Sequence, residues 1–189
     1  MPAELIEVET KYRGWCRLLL AKIKFAGGRV VQREIEDHGR AACVLPYDPA
    51  RRTALVIRQL RAPVLYAARE VELIEAVAGL IDEGEEPDAC ARREALEEAG
   101  LQLRSVERIT TVWTMPGISA ERMDLFLAEY SQADRIGPGG GEADESIEVI
   151  ELALSELASM ADAGTLSDLK TLMLAQTLRL RRPELFTPA

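Results

Sequence analysis

The chain has 189 residues, of which 48% are hydrophobic and 29% charged, and its formal net charge is −9. This length is enough for one well-packed domain with a small appendage. The negative charge argues against general nucleic-acid binding, which needs a basic surface, and no apolar run approaches the length that spans a bilayer.

The first 36 residues are predicted to form short strands. Residues 4–10, 15–25 and 30–36 look extended, and Gly27 and Gly28 form the turn before the last of them. These residues carry too little apolar surface for a core of their own, so a small antiparallel sheet that leans on another surface is expected. The expected division is therefore an N-terminal strand region, 1–40, and a main domain, 41–189.

The main domain is predicted to alternate strands and helices. Strand-like runs are AACVLPYDP, TALVIRQLR, VELIEAVAG, LQLRSVERITTVW, MDLFLAEYS and IEVIEL, with helices over 87–99, 154–163 and 166–180. The tail leaves regular structure at Pro183. Strands flanked by helices predict an α/β fold, an α/β/α sandwich with a mixed central sheet.

Three cysteines, Cys16, Cys43 and Cys90, stand at spacings that match no metal-binding pattern. An odd number of thiols cannot all pair. Reduced cysteines in a cytoplasmic protein are therefore expected.

The segment GLIDEGEEPDACARREALEEAGL, residues 79–101, carries the strongest functional signal. Pro87 and Gly100 suit the start and the end of a helix. On that helix Glu94, Glu97 and Glu98 share one side, where like charges repel. A bound divalent cation would relieve this repulsion, since Mg²⁺ prefers oxygen ligands.

Two further observations concern this helix. The alternative to a metal site is a solvated acidic helix crossed by salt bridges from Arg92 and Arg93. The opposite face is small and apolar, which predicts close packing on a sheet, and consists of Ala89, Cys90, Ala95, Leu96 and Ala99.

The segment resembles the signature of the Nudix hydrolases and meets every specified position of it. The flanking stretches YRGWCRLLL, REIEDHGRAACVLPYDP, VIRQLR, PGISAER and ESIEVIEL resemble the subgroup that contains ADP-ribose pyrophosphatase and GDP-mannose hydrolase. The resemblance covers residues 12–180. It implies hydrolysis of a nucleoside diphosphate sugar with Mg²⁺ or Mn²⁺, in a homodimer whose N-terminal strands cross to the partner.

The expected substrate is ADP-ribose, which would yield AMP and ribose 5-phosphate. GDP-mannose, which would yield GMP and mannose 1-phosphate, is the alternative. A third alternative is a regulator that binds a nucleotide sugar without hydrolysing it. Such proteins tend to lose the acidic residues of the helix, whereas this chain keeps all three.

The resemblance also implies roles for individual residues. The expected metal ligands are Glu94, Glu97, Glu98, Glu145 and the backbone carbonyl of Ala78. Glu98, Glu145, Glu121 and Glu142 are the expected catalytic residues. Asp144 is a further candidate base, because Ala143 occupies the position where ADP-ribose pyrophosphatase has a glutamate credited with activating water. An ion pair between Glu85 and Arg93 is expected to brace the loop before the helix.

The glycine-rich acidic loop at 137–146 has two interpretations, a flexible surface connection or a gate over the metal site. The expected substrate-binding residues are Trp15, Arg33, Glu34, His38, Arg61, Leu80, Met115, Gly117 and Glu121. For Trp15 a packing role, and for His38 a turn position, are the alternatives.

Overall fold

The computed structural model describes residues 2–70, 72–141 and 146–187. It contains two compact units, one formed by Met1–Ala41 with Thr111–Met123 and the other by Ala42–Thr110 with Asp124–Ala189. The division into an N-terminal strand region, 1–40, and a main domain, 41–189, stays a prediction.

The first unit is built on a three-stranded antiparallel sheet in the order β1 (Ala3–Arg13), β2 (Arg17–Phe25) and β3 (Val30–Asp37). Gly28 has a φ of 80° in the turn between β2 and β3, where its amide donates to the carbonyl of Phe25. Glycine suits this left-handed conformation because it has no Cβ. Every residue of β1 is exposed. The predicted N-terminal antiparallel sheet is confirmed.

The larger sheet contains seven described strands. Its main path runs β10-β5-β4-β9-β8, while β6 pairs with β5 and β7 with β4. The strands span Arg40–Asp48 (β4), Thr53–Leu60 (β5), Glu72–Glu75 (β6), Val77–Leu80 (β7), Glu107–Trp113 (β8), Arg122–Glu129 (β9) and Ile147–Ala153 (β10). The predicted α/β class with a mixed central sheet is confirmed.

Four α-helices accompany this sheet: α1 (Ala62–Ala68), α2 (Pro87–Ala99), α3 (Leu154–Asp162) and α4 (Leu169–Arg181). The last three match predicted helices. Helix α1 was not predicted, since it is a short helix with no buried residue and so carries no apolar periodicity. None of the helices in the described ranges is long and apolar enough to cross a membrane.

Helix α2 begins and ends where its sequence predicts. Pro87 opens the first turn, and Gly100 ends the helix with a φ of 65°. The amide of Gly100 donates to the carbonyl of Leu96, which is the bond of the αL cap, and the amide of Leu101 donates to the carbonyl of Ala95.

One side of α2 packs into the main core of the second unit, through Cys90, Ala91, Ala95 and Ala99. The prediction that Leu96 belongs to this buried side is wrong, because 43% of Leu96 is exposed. Ala91 takes part instead, since it follows Cys90 directly and precedes Ala95 by four residues, on the same side of the helix.

Candidate active site

The end of strand β7 lies against two carboxylates of α2. The amide of Ala78 donates to Glu98 Oε2 at 3.1 Å, and Glu98 is buried. At Gly79 the approach is closer still, because a Cβ placed there would lie 1.8 Å from Glu94 Oε1. Glycine is therefore needed where Glu94 meets the strand.

The predicted ion pair between Glu85 and Arg93 is present and bidentate. Arg93 Nε and Nη2 each donate to one oxygen of Glu85 at 3.0 Å, and Nη2 also donates to the carbonyl of Leu80 at 3.0 Å. The hydrogen bond from Arg93 is the largest influence on Glu85 and lowers the pKa of that carboxyl, while the same bond raises the pKa of Arg93. The pair joins the loop before α2 to the end of β7.

The same guanidinium also serves two of the clustered carboxylates. Arg93 Nη1 donates to Glu94 at 2.6 Å and to Glu97 at 3.0 Å. Arg92 pairs with Asp88 one turn earlier at 2.8 Å. Arginines thus do cross the acidic side of the helix, as the alternative interpretation predicted.

The donor set suits a hard divalent cation, which favours carboxylate and carbonyl oxygens. The close approach of Glu94 to Gly79 supports this use of the helix, because it brings that carboxylate against the backbone at the strand end. Within the described ranges, no three aspartate, glutamate, histidine or cysteine side chains lie close enough together to hold a metal ion. Metal binding by Glu94, Glu97, Glu98 and the Ala78 carbonyl therefore stays a prediction.

The glycine-rich loop contacts the C-terminal end of α2. The amides of Gly140 and Gly141 donate to the carbonyls of Glu98 and Glu97 at 2.9 and 3.1 Å, which have no partner within the helix at this end. A Cβ on Gly139 would lie 2.3 Å from the Glu98 carbonyl oxygen. The described part of the loop is therefore packed on the helix that carries the acidic cluster.

The acidic part of the loop falls outside the described residues. This applies to the expected catalytic or metal-binding residues Glu142 and Glu145, and to Ala143 and Asp144 between them.

A second cluster of charged side chains lies in the first unit. His38 contacts Glu36 through Nδ1 at 2.5 Å and Glu121 through Nε2 at 3.1 Å. Ser119 Oγ donates to the second oxygen of Glu36 at 2.7 Å. Trp15 stacks on the His38 ring, with 5.0 Å between the ring centroids, and is 79% exposed. His38 therefore bridges two carboxylates.

Arg61 lies in an ion-pair network of the second unit. Its Nε and Nη2 donate to Glu75 at 2.6 and 3.1 Å. Burial opposes ionisation of Glu75, but its contacts with Arg61 and Lys170 outweigh burial and lower the pKa of this carboxyl. Sequence reasoning missed Glu75 and Lys170, which are 95 residues apart and carry no local motif.

The remaining expected substrate residues lie at exposed positions. Arg33 and Glu34 are exposed on β3, and Leu80, at the end of β7, is 37% exposed. Met115 is 55% exposed, and its carbonyl accepts from the amide of Ser119 at 2.8 Å in the turn that contains Gly117. The expected site residues that belong to the first unit are Trp15, Arg33, Glu34, His38, Met115, Gly117 and Glu121. Those that belong to the second unit are Arg61, Ala78, Leu80, Glu94, Glu97 and Glu98. Substrate binding by these residues stays a prediction.

Comparisons with known proteins agree on one family. A family model described as the NUDIX domain matches residues 37–172. The GDP-mannose pyrophosphatase of Cronobacter sakazakii is 41% identical over 157 residues, which cover 82% of each chain. That of Pectobacterium atrosepticum is 38% identical over 180 residues, 93% of each chain. A crystal structure of an ADP compounds hydrolase matches in fold, with a TM-score of 0.78, 17% identity, and coverage of 97% of this chain and 96% of the other.

Proposed function

We propose that this chain, which belongs to the NUDIX family, hydrolyses the pyrophosphate bond of a nucleoside diphosphate sugar. The observation that carries the proposal is the placement of Glu94 and Glu98 against the end of β7, where Gly79 leaves room for a carboxylate. The family match supports it, because it spans the whole acidic helix.

The proposed reaction is attack of water on one phosphorus of the diphosphate bridge. A bound Mg²⁺ or Mn²⁺ would offset the charge of the phosphate oxygens and lower the pKa of the attacking water. The metal would be held by Glu94, Glu97, Glu98 and the carbonyl of Ala78. A chain of net charge −9 needs such local positive charge to admit a diphosphate.

Several of this chain's own residues would act on the substrate or the water. Glu121, whose carboxylate is held by His38, is a candidate to accept a proton. Glu145 and Glu142 are further candidates, from the sequence, to accept this proton. Arg93 would keep the metal-binding carboxylates in place without touching the substrate, because its guanidinium is engaged by Glu85.

We propose two candidate substrates and rank one above the other. GDP-mannose comes first, because the relatives that share 38–41% identity over most of the chain are named GDP-mannose pyrophosphatases. ADP-ribose, the substrate expected from the sequence, remains the second candidate. Either substrate would yield two phosphomonoesters.

The test is product formation with each substrate in Mg²⁺ or Mn²⁺, followed by anion-exchange chromatography. Glu98→Gln keeps the shape of the side chain while removing its charge. Glu107→Gln is the matched control, because Glu107 forms only an exposed ion pair with Arg181 among its described contacts. The proposal fails if Glu98→Gln and the wild type release GMP or AMP at equal rates. A wild type that binds the nucleotide sugar but releases neither product would instead favour a regulator that only binds the ligand.

A homodimer is proposed as well. All of β1 is exposed, including Leu5, Ile6 and Val8, which are 44–59% exposed. Association of this strand with a second copy would cover that apolar surface. Sedimentation at micromolar concentration tests the proposal, and a monomeric mass contradicts it.

A further inference from the structure

His38 is the only histidine of the chain and lies between two carboxylates from separate segments. Glu36 belongs to β3, whereas Glu121 follows the turn at 115–119 and lies 83 residues beyond His38. Only 14% of the His38 side chain is exposed, and 13% of Glu121. The imidazole thus lies between the two carboxylates and contacts each of them through one ring nitrogen.

Backbone contacts keep the two segments in register. The amide of Glu36 donates to the carbonyl of Ile118 at 2.9 Å, and the amide of Ala120 donates to the carbonyl of Glu36 at 2.8 Å. Ser119 binds the Glu36 carboxylate from the same segment. Glu36 is therefore fixed by its main chain and by its side chain, and can in turn hold His38.

The charge state of this group follows from its neighbours. Burial opposes a charge on His38, but the hydrogen bonds to Glu36 and Glu121 outweigh burial and raise the pKa of the imidazole above 6.5. Burial likewise opposes ionisation of Glu36, and His38 and Ser119 together lower its pKa. Glu36 and Glu121 supply the charges that face the ring, Cys16 hydrogen bonds to Glu36, and the uncharged Trp15 covers one ring face.

We propose that His38, which contacts Glu36 through Nδ1 and Glu121 through Nε2, is a positioning residue that orients the Glu121 carboxylate for the hydrolytic reaction. This rests on the proposed function, because it assigns Glu121 to the substrate site. The bond from His38 uses Glu121 Oε1, so the second oxygen would accept a proton from water or from a substrate hydroxyl.

Only the charged ring can donate to both acids, because a neutral imidazole has one N–H and one bare nitrogen. The shorter contact is with Glu36, so the remaining proton would stay on Nδ1. The bare Nε2 would then repel Glu121. A group with a raised folded pKa contributes fully below its unfolded pKa and loses its effect as pH rises through the folded value. Orientation of Glu121 should thus be lost on the alkaline side.

The first experiment needs no turnover. Because the chain has one histidine, the NMR signal of the ring Cε1–H in the untagged protein reports His38 alone. The pKa of His38 should lie above 6.5 and should fall in Glu36→Gln and again in Glu121→Gln. A value at or below 6.5, or one that neither substitution moves, overturns the proposal.

The second experiment separates positioning from a general structural role. The amide nitrogen of Asn occupies the place of Nδ1, and that of Gln the place of Nε2. His38→Asn should keep the contact with Glu36, lose that with Glu121, and lower kcat by about tenfold to a hundredfold with little change in KM. His38→Gln should keep the contact with Glu121 and lower kcat by only about two- to fivefold. The alkaline limb of the wild-type kcat profile, expected at the His38 pKa, should be absent from both.

Arg17→Gln is the control, because it removes a neighbouring exposed ion pair with Asp37. It should leave kcat and its pH profile unchanged. Equal losses in His38→Asn and His38→Gln, or no loss in either, overturn the positioning role. If no nucleoside diphosphate sugar is hydrolysed by the wild type, the proposed function and this catalytic role fail together, while the NMR titration still decides whether the bridge exists. Hydrolysis by the wild type with equal losses in the two His38 variants would reject the positioning role and leave the proposed function standing.

Discussion

Replacing Gly79 by alanine changes one contact of the proposed metal site. The backbone of Gly79 lies outside the positive-φ region, so alanine fits without strain in the main chain. Its Cβ would lie 1.8 Å from Oε1 and 2.1 Å from Cδ of Glu94. Ordinary contact begins at 3.4 Å, so the carboxylate oxygen would have to move by about 1.6 Å, the difference between these two distances.

The fold should tolerate this movement, whereas the site should not. The displaced group is the end of a flexible side chain, and a Gly→Ala change at a compatible position stabilises by about 0.4–1 kcal/mol. The free energy of unfolding should therefore change by less than about 1 kcal/mol. Oxygen ligands of Mg²⁺ lie at about 2.0–2.1 Å, so a displacement of this size removes Glu94 as a ligand. We expect kcat/KM to fall by about a hundredfold or more.

Gly84→Ala is the matched control. Gly84 has a φ of 81° and an added Cβ would meet nothing within 4 Å, so alanine strains the backbone but clashes with no side chain. It should destabilise by about 1–2 kcal/mol and keep the activity of the folded protein. The assays are chemical denaturation, Mn²⁺ titration and steady-state hydrolysis. Wild-type metal affinity and kcat/KM in Gly79→Ala would refute the reasoning.

Three further results are expected. Arg93→Lys replaces a guanidinium that binds several carboxylates at once by an ammonium, which cannot hold them in the same geometry. The metal concentration for half-maximal activity should therefore rise by about tenfold. An unchanged Mn²⁺ titration would contradict this. Glu75→Gln removes the buried carboxylate that Arg61 and Lys170 share, while Lys170 keeps Asp168, and should cost about 1.5–3 kcal/mol in urea unfolding, against no change if the network is dispensable. Burial raises the pKa of Cys43 and brings that of Cys90 to about 12, so at pH 8 only Cys16 should react quickly with a thiol reagent, and three fast thiols would disprove it.

Helix α2 was predictable because its determinants lie within its own sequence. Pro87 and Gly100 act on adjacent turns, and the acidic residues are three and four positions apart. The ion pair between Glu85 and Arg93 spans only eight residues, which is still within one motif. Local determinants of this kind also account for the predicted strands, whose turns are marked by glycine and proline.

The remaining features depend on contacts between distant segments. Glu121 reaches His38 across 83 residues and Lys170 reaches Glu75 across 95, and neither pair has a spacing that sequence can show. The packing of Gly140 on α2 is similar, since a run of glycines indicates backbone freedom but not the surface that the run will contact.

Clustered acids alone did not distinguish a metal site from an acidic helix neutralised by arginine. In the structure Arg93 donates to both Glu94 and Glu97, so repulsion between these carboxylates is relieved without any metal. Arginine neutralisation does not, however, require a strand to approach so closely that the Cβ of any residue at position 79 would collide with Glu94. A carboxylate pressed against backbone at a strand end brings an oxygen ligand next to main-chain carbonyls, the pairing that a hard cation uses. Gly79, more than the number of glutamates, is therefore the residue that favours a metal-binding function for this helix.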